Sequence, residues 1–384
     1  MHGDMKTSPL ALPTLYVGLM SGTSLDGIDA ALVEITPHTP PTLIGTTAVA
    51  MPDALHGQLL HLCHSSSVTF AELAAAEDAF CRLQARAVNT LLAEHGVAHH
   101  QIAAIGSHGQ TIEHAPEGHQ GGPRYTWQLD NPSLLAELTG CAVVADFRRR
   151  DLAAGGQAAP LAPAFHQALF GARAGEQLVL NLGGFANLTW LSSQPGQAVV
   201  GFDTGPANVL LDAWFGQHHV GRFDQQGAWA ASGRVDTALL ERLLQEPFFQ
   251  QPPPRSTGRE LFHLDWLQRH LTGHEAPCDI QATLAELTVA SIAQGIAQLP
   301  LGDQKATLLV CGGGAHNGHL MERLAARLPH MTLVSPATLG WPEDWIEAGA
   351  FAWLAHQRLH GLPGNLPSVT GASGPRVLGG IYAA

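Results

Sequence analysis

Three times along this chain a short apolar run stops at a turn rich in glycine. Residues 15–20 lead into 21–27, residues 178–182 into Gly183 and Gly184, and residues 308–310 into Gly312, Gly313 and Gly314. Apolar runs this short, bounded by glycine, read as buried strands. After the first two turns a second apolar run follows, 28–35 and 187–191, so that strand, turn and strand are written twice. Helical periodicity lies between. It runs over 70–94 through Leu73, Phe80, Leu83, Val88, Leu91 and Leu92, and over 279–299 through Ile280, Leu284, Leu287, Ile292 and Ile296, with Asp279 as N-cap and Pro300 as stop. Another strand, 198–202, leads into Asp203, and 208–214 has a helical pattern. Alternating strands and helices predict an α/β fold, and the repeated plan predicts two lobes of similar design. A chain of 384 residues, 45% hydrophobic, is large for one core and sufficient for two. The period is lost over 153–160, which places the crossing there.

Composition removes several functional classes. The formal charge of −13 opposes binding to nucleic acid, whose affinity comes largely from cations that neutralise phosphate. No stretch approaches the ~20 apolar residues of a membrane helix, and the start of the chain, Met1 to Lys6, has no apolar run of the signal-peptide kind. Five cysteines without C-x-x-C spacing suit a reducing, cytoplasmic setting. The 22 histidines never fall in H-E-x-x-H spacing, and they read as solvated or core residues.

The glycine turns carry the first chemical signal. Glycine lets backbone N–H groups approach an anion, and turns that follow buried strands can cradle phosphate. One such turn alone is ordinary turn chemistry; three together point to a nucleotide. A P-loop and a Rossmann G-x-G-x-x-G with its downstream acid are both missing, so the grip is of another kind. Asp26 and Asp29 follow the hydroxyls of Ser21, Thr23 and Ser24 and are either oxygen ligands for Mg²⁺, held partly through water, or turn caps. Asp203 is either a general base at a strand end or the N-cap of the helix after it, whose amides would face developing negative charge. The cluster Asp146-Phe147-Arg148-Arg149-Arg150-Asp151 either recognises an anionic substrate or forms a solvated ion-pair group. Residues 105–111, with Ser107, His108 and Gln110, either hydrogen-bond sugar hydroxyls or cap a loop. The Gly- and His-rich stretch 116–123 reads as an exposed loop.

The run Gly18-Leu19-Met20-Ser21-Gly22-Thr23-Ser24-Leu25-Asp26-Gly27 resembles the N-terminal signature of the anhydro-N-acetylmuramic acid kinases. Blocks at 105–111, 146–160, 182–187, 201–208, 256–260 (Ser-Thr-Gly-Arg-Glu), 311–317 and 347–355 resemble family blocks in family order, over nearly the whole chain. The resemblance implies a two-lobed actin-like ATPase (ribonuclease-H-like) fold with ATP and sugar in an interlobe cleft. Its lobes would be 1–150 with 361–384, and 151–360. It implies that Gly22, Thr23, Ser24, Leu25, Asp26, Gly27, Ile28 and Asp29 hold ATP phosphate and Mg²⁺, with Asp26 facing the metal through water. Gly183, Gly184 and Gly205 would form the second phosphate region, and Gly312, Gly313, Gly314 and Asn317 the adenosine site. Asp203 would activate water at the anomeric carbon while O6 takes the γ-phosphoryl group, and Glu347 would help orient that water. Ser107, His108, Gln110, Arg148 and Arg150 would contact the sugar, the arginines through its lactyl carboxylate. A cytoplasmic homodimer is implied as well. Ala207 departs from the family, which commonly has glycine there, and the 116–123 loop is longer than usual. The rival readings are an actin-like kinase of another amino sugar and a non-catalytic actin-like ATP-binding protein.

Overall fold

A computed structural model describes residues 12–22, 24–65, 67–119, 121–259, 261–301 and 305–384. Thr23, Glu260 and the Met1–Lys6 start therefore lie outside the described residues. The chain forms two compact units. One takes the chain up to Ala158, then Glu347–Asn365 and Pro375–Ala384; the other takes Ala159–Ile346 and Leu366–Gly374.

The first unit is built on a seven-stranded sheet. Strands β1 (Thr14–Ser21), β2 (Gly27–Ile35) and β3 (Thr42–Ala50) run as an antiparallel meander. Next to β1, and parallel to it, lies β4 (Ile102–Ala115); β6 (Val143–Ala145) is parallel to β4 in turn. A hairpin strand, β5 (Tyr125–Leu129), pairs the outer part of β4, and the late strand Gly380–Tyr382 pairs β6 antiparallel. The helix Phe70–Glu94 covers the sheet, burying Phe80, Val88, Leu91 and Leu92 with Leu19, Leu32 and Ile105 in one core. Four such side chains removed from water contribute on the order of 6–12 kcal/mol before conformational entropy is set against them.

The second unit repeats the plan. Strands β7 (Glu176–Leu182), β8 (Phe185–Leu191) and β9 (Val200–Pro206) form an antiparallel meander, β10 (Ala306–Cys311) is parallel to β7, and β11 (Thr332–Val334) is parallel to β10. The spatial order β11-β10-β7-β8-β9 matches β6-β4-β1-β2-β3, so each unit has the ribonuclease-H-like core expected from sequence. The helix Pro277–Ala297 is buried on nearly every side, which explains why its apolar positions do not keep to one stripe.

Three expectations are corrected. Asp279 is not the cap of that helix, which begins at Pro277, a residue whose fixed φ and missing N–H suit a first helical position; Asp279 instead accepts the Arg234 N–H at 2.7 Å. The strand expected at 198–202 runs on to Pro206, so Asp203 stands within β9 and not at its end. Helix Ile346–Leu359, assigned to the second lobe, packs against the first unit's sheet from Glu347 onward. A Cβ at Gly18 would lie 1.9 Å from the Ala348 carbonyl oxygen, and one at Gly106 2.0 Å from that of Phe351. Only glycine on β1 and β4 allows the helix this close.

Candidate active site

Within the first unit the turn after β1 is braced from below by Gln110. The Ser21 hydroxyl donates to Gln110 Oε1 at 2.7 Å, and Gln110 Nε2 donates to the Gly22 carbonyl at 3.3 Å. The Leu25 N–H closes the turn on Gly22 O at 3.3 Å. Leu25 has φ of +58° with its side chain in the core, a conformation that costs a leucine about 1–3 kcal/mol and clusters at functional turns. Ser24 and Asp26 are exposed and Asp29 is half-buried. Ile28 is buried, so only its backbone can face a ligand. Gly27 is set by packing, because a Cβ there would meet the Val49 carbonyl oxygen at 2.5 Å.

The expected sugar residues separate into supports and contacts. Ser107 and Gln110 are fully buried. Ser107 accepts from Gln84 Nε2 at 2.8 Å and donates to Asp130 Oδ2 at 2.7 Å, so its hydroxyl is used within the protein. Burial pushes the Asp130 carboxyl up to about 6, opposed by its bonds to Ser107 and Gln84. His108 faces the other side of β4. Its Nε2 accepts from Arg148 Nε at 3.1 Å and Nη2 at 2.9 Å. Burial, and then the Arg148 charge, hold this imidazole well below its usual range, so it is neutral. Arg148 also donates to the Ala158 carbonyl at 2.7 Å. Its own pKa falls to about 10 through burial, with Glu347 and Asp151 pulling the other way. Glu347, on the first turn of the helix Ile346–Leu359, is open to solvent by area yet closely surrounded. Burial raises its carboxyl and Arg148 opposes the rise. Asp151 pins the loop from inside, taking the Ala158 N–H at 2.8 Å and the Asn365 side-chain amide at 2.6 Å. The neighbouring cations are not part of this group: Arg149 pairs Asp146 at 3.7 Å on the surface, and Arg150 is exposed.

Within the second unit the glycine turns lie together. A Cβ at Gly312 would sit 2.2 Å from Asn181 Oδ1, and one at Gly314 2.7 Å from the Leu182 side chain. The Asn208 side chain donates to Leu182 O at 3.1 Å. The amides of Ala207, Asn208 and Val209 donate to the carbonyls of Gly183 and Gly184 at 3.0–3.1 Å. That changes the expectation for the helix Asn208–His218, whose first amides are occupied by the turn and do not wait for an anion. Asn317 is the N-cap of the helix Gly318–Arg327, its Oδ1 accepting from Leu320 N–H at 3.0 Å. Gly205 is buried, and its Cβ would strike Phe249 at 2.7 Å, so packing accounts for it. Gly22, Gly183, Gly184 and Gly313 are different. None has a positive φ, and an added Cβ would meet nothing nearer than 3.6 Å.

Asp203 is not an N-cap either. The cap position belongs to Ala207, which packs in the core. The strand register slips between Ala186 and Asn187 opposite Asp203 and Gly205, a bulge that re-aims the side chain. Asp203 Oδ2 accepts the Thr257 N–H at 2.9 Å, its N–H donates to Arg255 O at 2.9 Å, and Arg255 Nε donates to its carbonyl at 3.0 Å. Gln84, Asp130 and Arg255 were not singled out from sequence, and Thr257 only within the family block 256–260; a buried polar residue on an otherwise apolar helix face was the available signal for Gln84.

Two ribonuclease-H-like units of matching strand order, with glycine turns after β1, β7 and β10, define the class of the molecule, a two-unit α/β protein. The profile of the anhydro-N-acetylmuramic acid kinase family matches residues 14–384. The anhydro-N-acetylmuramic acid kinase of Chromohalobacter salexigens is 64% identical over 96% of this chain and 99% of its own, and that of Pseudomonas syringae pv. syringae 51% over 96% and 99%. A solved chain, the (R)-2-hydroxyglutaryl-CoA dehydratase component A of Acidaminococcus fermentans, superposes with a TM-score of 0.44 at 10% identity over 88% of this chain and 97% of its own, too distant to add to the topology above. The chain belongs to the anhydro-N-acetylmuramic acid kinase family.

Proposed function

We propose that this protein is an ATP-dependent kinase that opens the 1,6-anhydro bond of anhydro-N-acetylmuramic acid and phosphorylates O6, giving N-acetylmuramic acid 6-phosphate in peptidoglycan recycling. Family membership supports the activity. The geometric observation that supports the chemistry is Asp203, a half-buried carboxylate aimed by a strand bulge and held by the Thr257 amide. In this reading Asp203 takes a proton from water as the water oxygen bonds to the anomeric carbon. The C1–O6 bond breaks, O6 bonds to the γ-phosphorus, ADP leaves, and Asp203 returns its proton to solvent. Glu347 helps orient the water. Arg148, made rigid by a neutral His108, pairs with the lactyl carboxylate. Ser107 and Gln110 act through the strand they brace.

The turn residues 22–29 would hold the terminal phosphates, Gly183 and Gly184 the second phosphate edge, and 312–317 the adenosine. Gly22, Gly183, Gly184 and Gly313 support this, since neither φ nor protein packing requires glycine at them. Asp26 suits Mg²⁺: its exposed carboxylate stands at a phosphate turn, while its backbone carbonyl is engaged by the Met51 N–H at 2.9 Å. Mg²⁺ is commonly bound by one or two carboxylates, waters and substrate phosphate, and it would supply neutralisation of phosphate charge. We place the protein in the cytoplasm, where ATP is held, as a homodimer on the strength of family resemblance. Among the described residues no helix is long and apolar enough to cross a membrane.

Turnover in ¹⁸O-labelled water tests the reading. One solvent oxygen at the anomeric carbon and a phosphate on O6 are expected; an unlabelled product, or phosphorylation of an ordinary amino sugar with the anhydro sugar left intact, overturns it. Asp203→Asn should keep ATP affinity while turnover falls by about 10²–10⁴, read by calorimetry and steady-state kinetics.

A further inference from the structure

The guanidinium of Arg255 is placed where a cation is costly. The residue is 7% exposed, and its Cζ lies 5.5 Å from the Phe202 ring centroid and 5.0 Å from that of Phe248. Nη1 donates to the carbonyls of Phe249 and Gln251, and Nε to the Asp203 carbonyl. Nη2 is buried with no partner among the described residues, as is Thr257 Oγ1. An aromatic slot of this shape would be filled as well by an uncharged side chain of equal length, without the desolvation of a buried charge. Packing alone therefore gives no reason for a guanidinium, whereas the three main-chain carbonyls it bonds do, one of them that of Asp203. Burial lowers the Arg255 pKa and the Asp203 charge raises it.

The same segment grips Asp203 by its backbone in both directions and by one carboxylate oxygen. Phe249, whose carbonyl Arg255 holds, is the residue that packs on Gly205 at the bulge. Backbone clamp and amide thus converge on Asp203 from a single loop.

We infer that Arg255 is a positioning residue for the reaction, its buried guanidinium fixing the direction of the β9 bulge through its hydrogen bonds, with the Thr257 amide completing the bracket. This rests on the reading of Asp203 as the base. Arg255→Met keeps the length and the aromatic contacts and removes the charge together with the bonds to three carbonyls. Arg255→Lys restores a cationic donor. In the full chain, with circular dichroism as the check on folding, Arg255→Met should lower kcat by about tenfold to a hundredfold with the KM and calorimetric Kd of ATP and sugar within twofold of the parent, and Arg255→Lys should recover most of the loss. Parent-like kcat in Arg255→Met overturns the inference; so does an equal loss in both variants, or a loss confined to KM. If Arg255→Met does not fold, Arg255→Gln takes its place under the same criteria; if neither neutral variant folds and Arg255→Lys does, the role is structural and the inference falls. Asp203→Asn, measured alongside, separates the two levels. An active Asp203→Asn removes the base itself, whereas an inactive Asp203→Asn beside a normal Arg255→Met removes only the bracket.

Discussion

A methyl group at Gly18 would press on the Ala348 carbonyl at 1.9 Å, whereas one at Gly183 would meet only Phe185 O at 3.6 Å. Identical residues thus answer to different constraints, and substitution should tell them apart. Gly18→Ala is expected to destabilise by about 1–3 kcal/mol or more through overpacking, read as a lower urea midpoint. Gly183→Ala should leave stability within about 0.5 kcal/mol and raise the KM for ATP about tenfold, in line with the roughly 1.5–3 kcal/mol of a hydrogen bond to a charged group. Asp130 makes a pH prediction. Its folded pKa, about 6, lies above the ordinary 3.8, so between those values the native state binds the proton that the unfolded state has lost. Its contribution therefore falls as pH rises through that window. Asp130→Asn should gain on the parent in thermal stability between pH 4 and pH 7. At this scale the sequence disclosed residue types but not their side of the strand. Ser107 and His108 read as one polar cluster, yet strand alternation sends Ser107 into a buried network and His108 to Arg148. Gly205 and Asn317 read as ligand residues, and the structure gives them packing and capping duties that only tertiary neighbours reveal.

Among the elements, strongly periodic ones were legible. The helix over 70–94 stands at Phe70–Glu94 because its apolar positions fall on one face. Its start carries a further signal, Thr69 followed three residues on by Glu72, each side chain serving the other's backbone N–H at 3.2 and 2.7 Å. Thr69→Ala should cost about 1 kcal/mol, with Glu72→Ala non-additive on top of it, both from urea titration. The strand that carries Asp203 runs four residues past the Phe202 end read from sequence, to Pro206. A bulge absorbs these residues into the ladder. The helix at 277–297 starts ahead of the cap read at Asp279, since proline suits a first helical position.

Across the molecule, the doubled plan was visible in the repeated strand-turn-strand pattern, and the matching strand orders carry it through. The placement of the helix Ile346–Leu359 was not visible, because its partners Gly18 and Gly106 are distant in sequence. Ligand linkage is expected at this scale. ATP at about a hundred times its Kd should add about 2.7 kcal/mol to the stability of whatever unfolds with its site, seen as a rise in melting temperature that Asp203→Asn retains and Gly183→Ala reduces.

The first unit borrows its last helix and its edge strand from beyond the second unit's main segment. On the ribosome, then, β6 waits with an unpaired edge while about two hundred further residues are translated, and the earlier-begun half is the later one to be finished. A nascent chain stalled before residue 346 would carry most of the second unit and a first unit still lacking its last helix and edge strand, a state in which holdase chaperones have an open edge to guard.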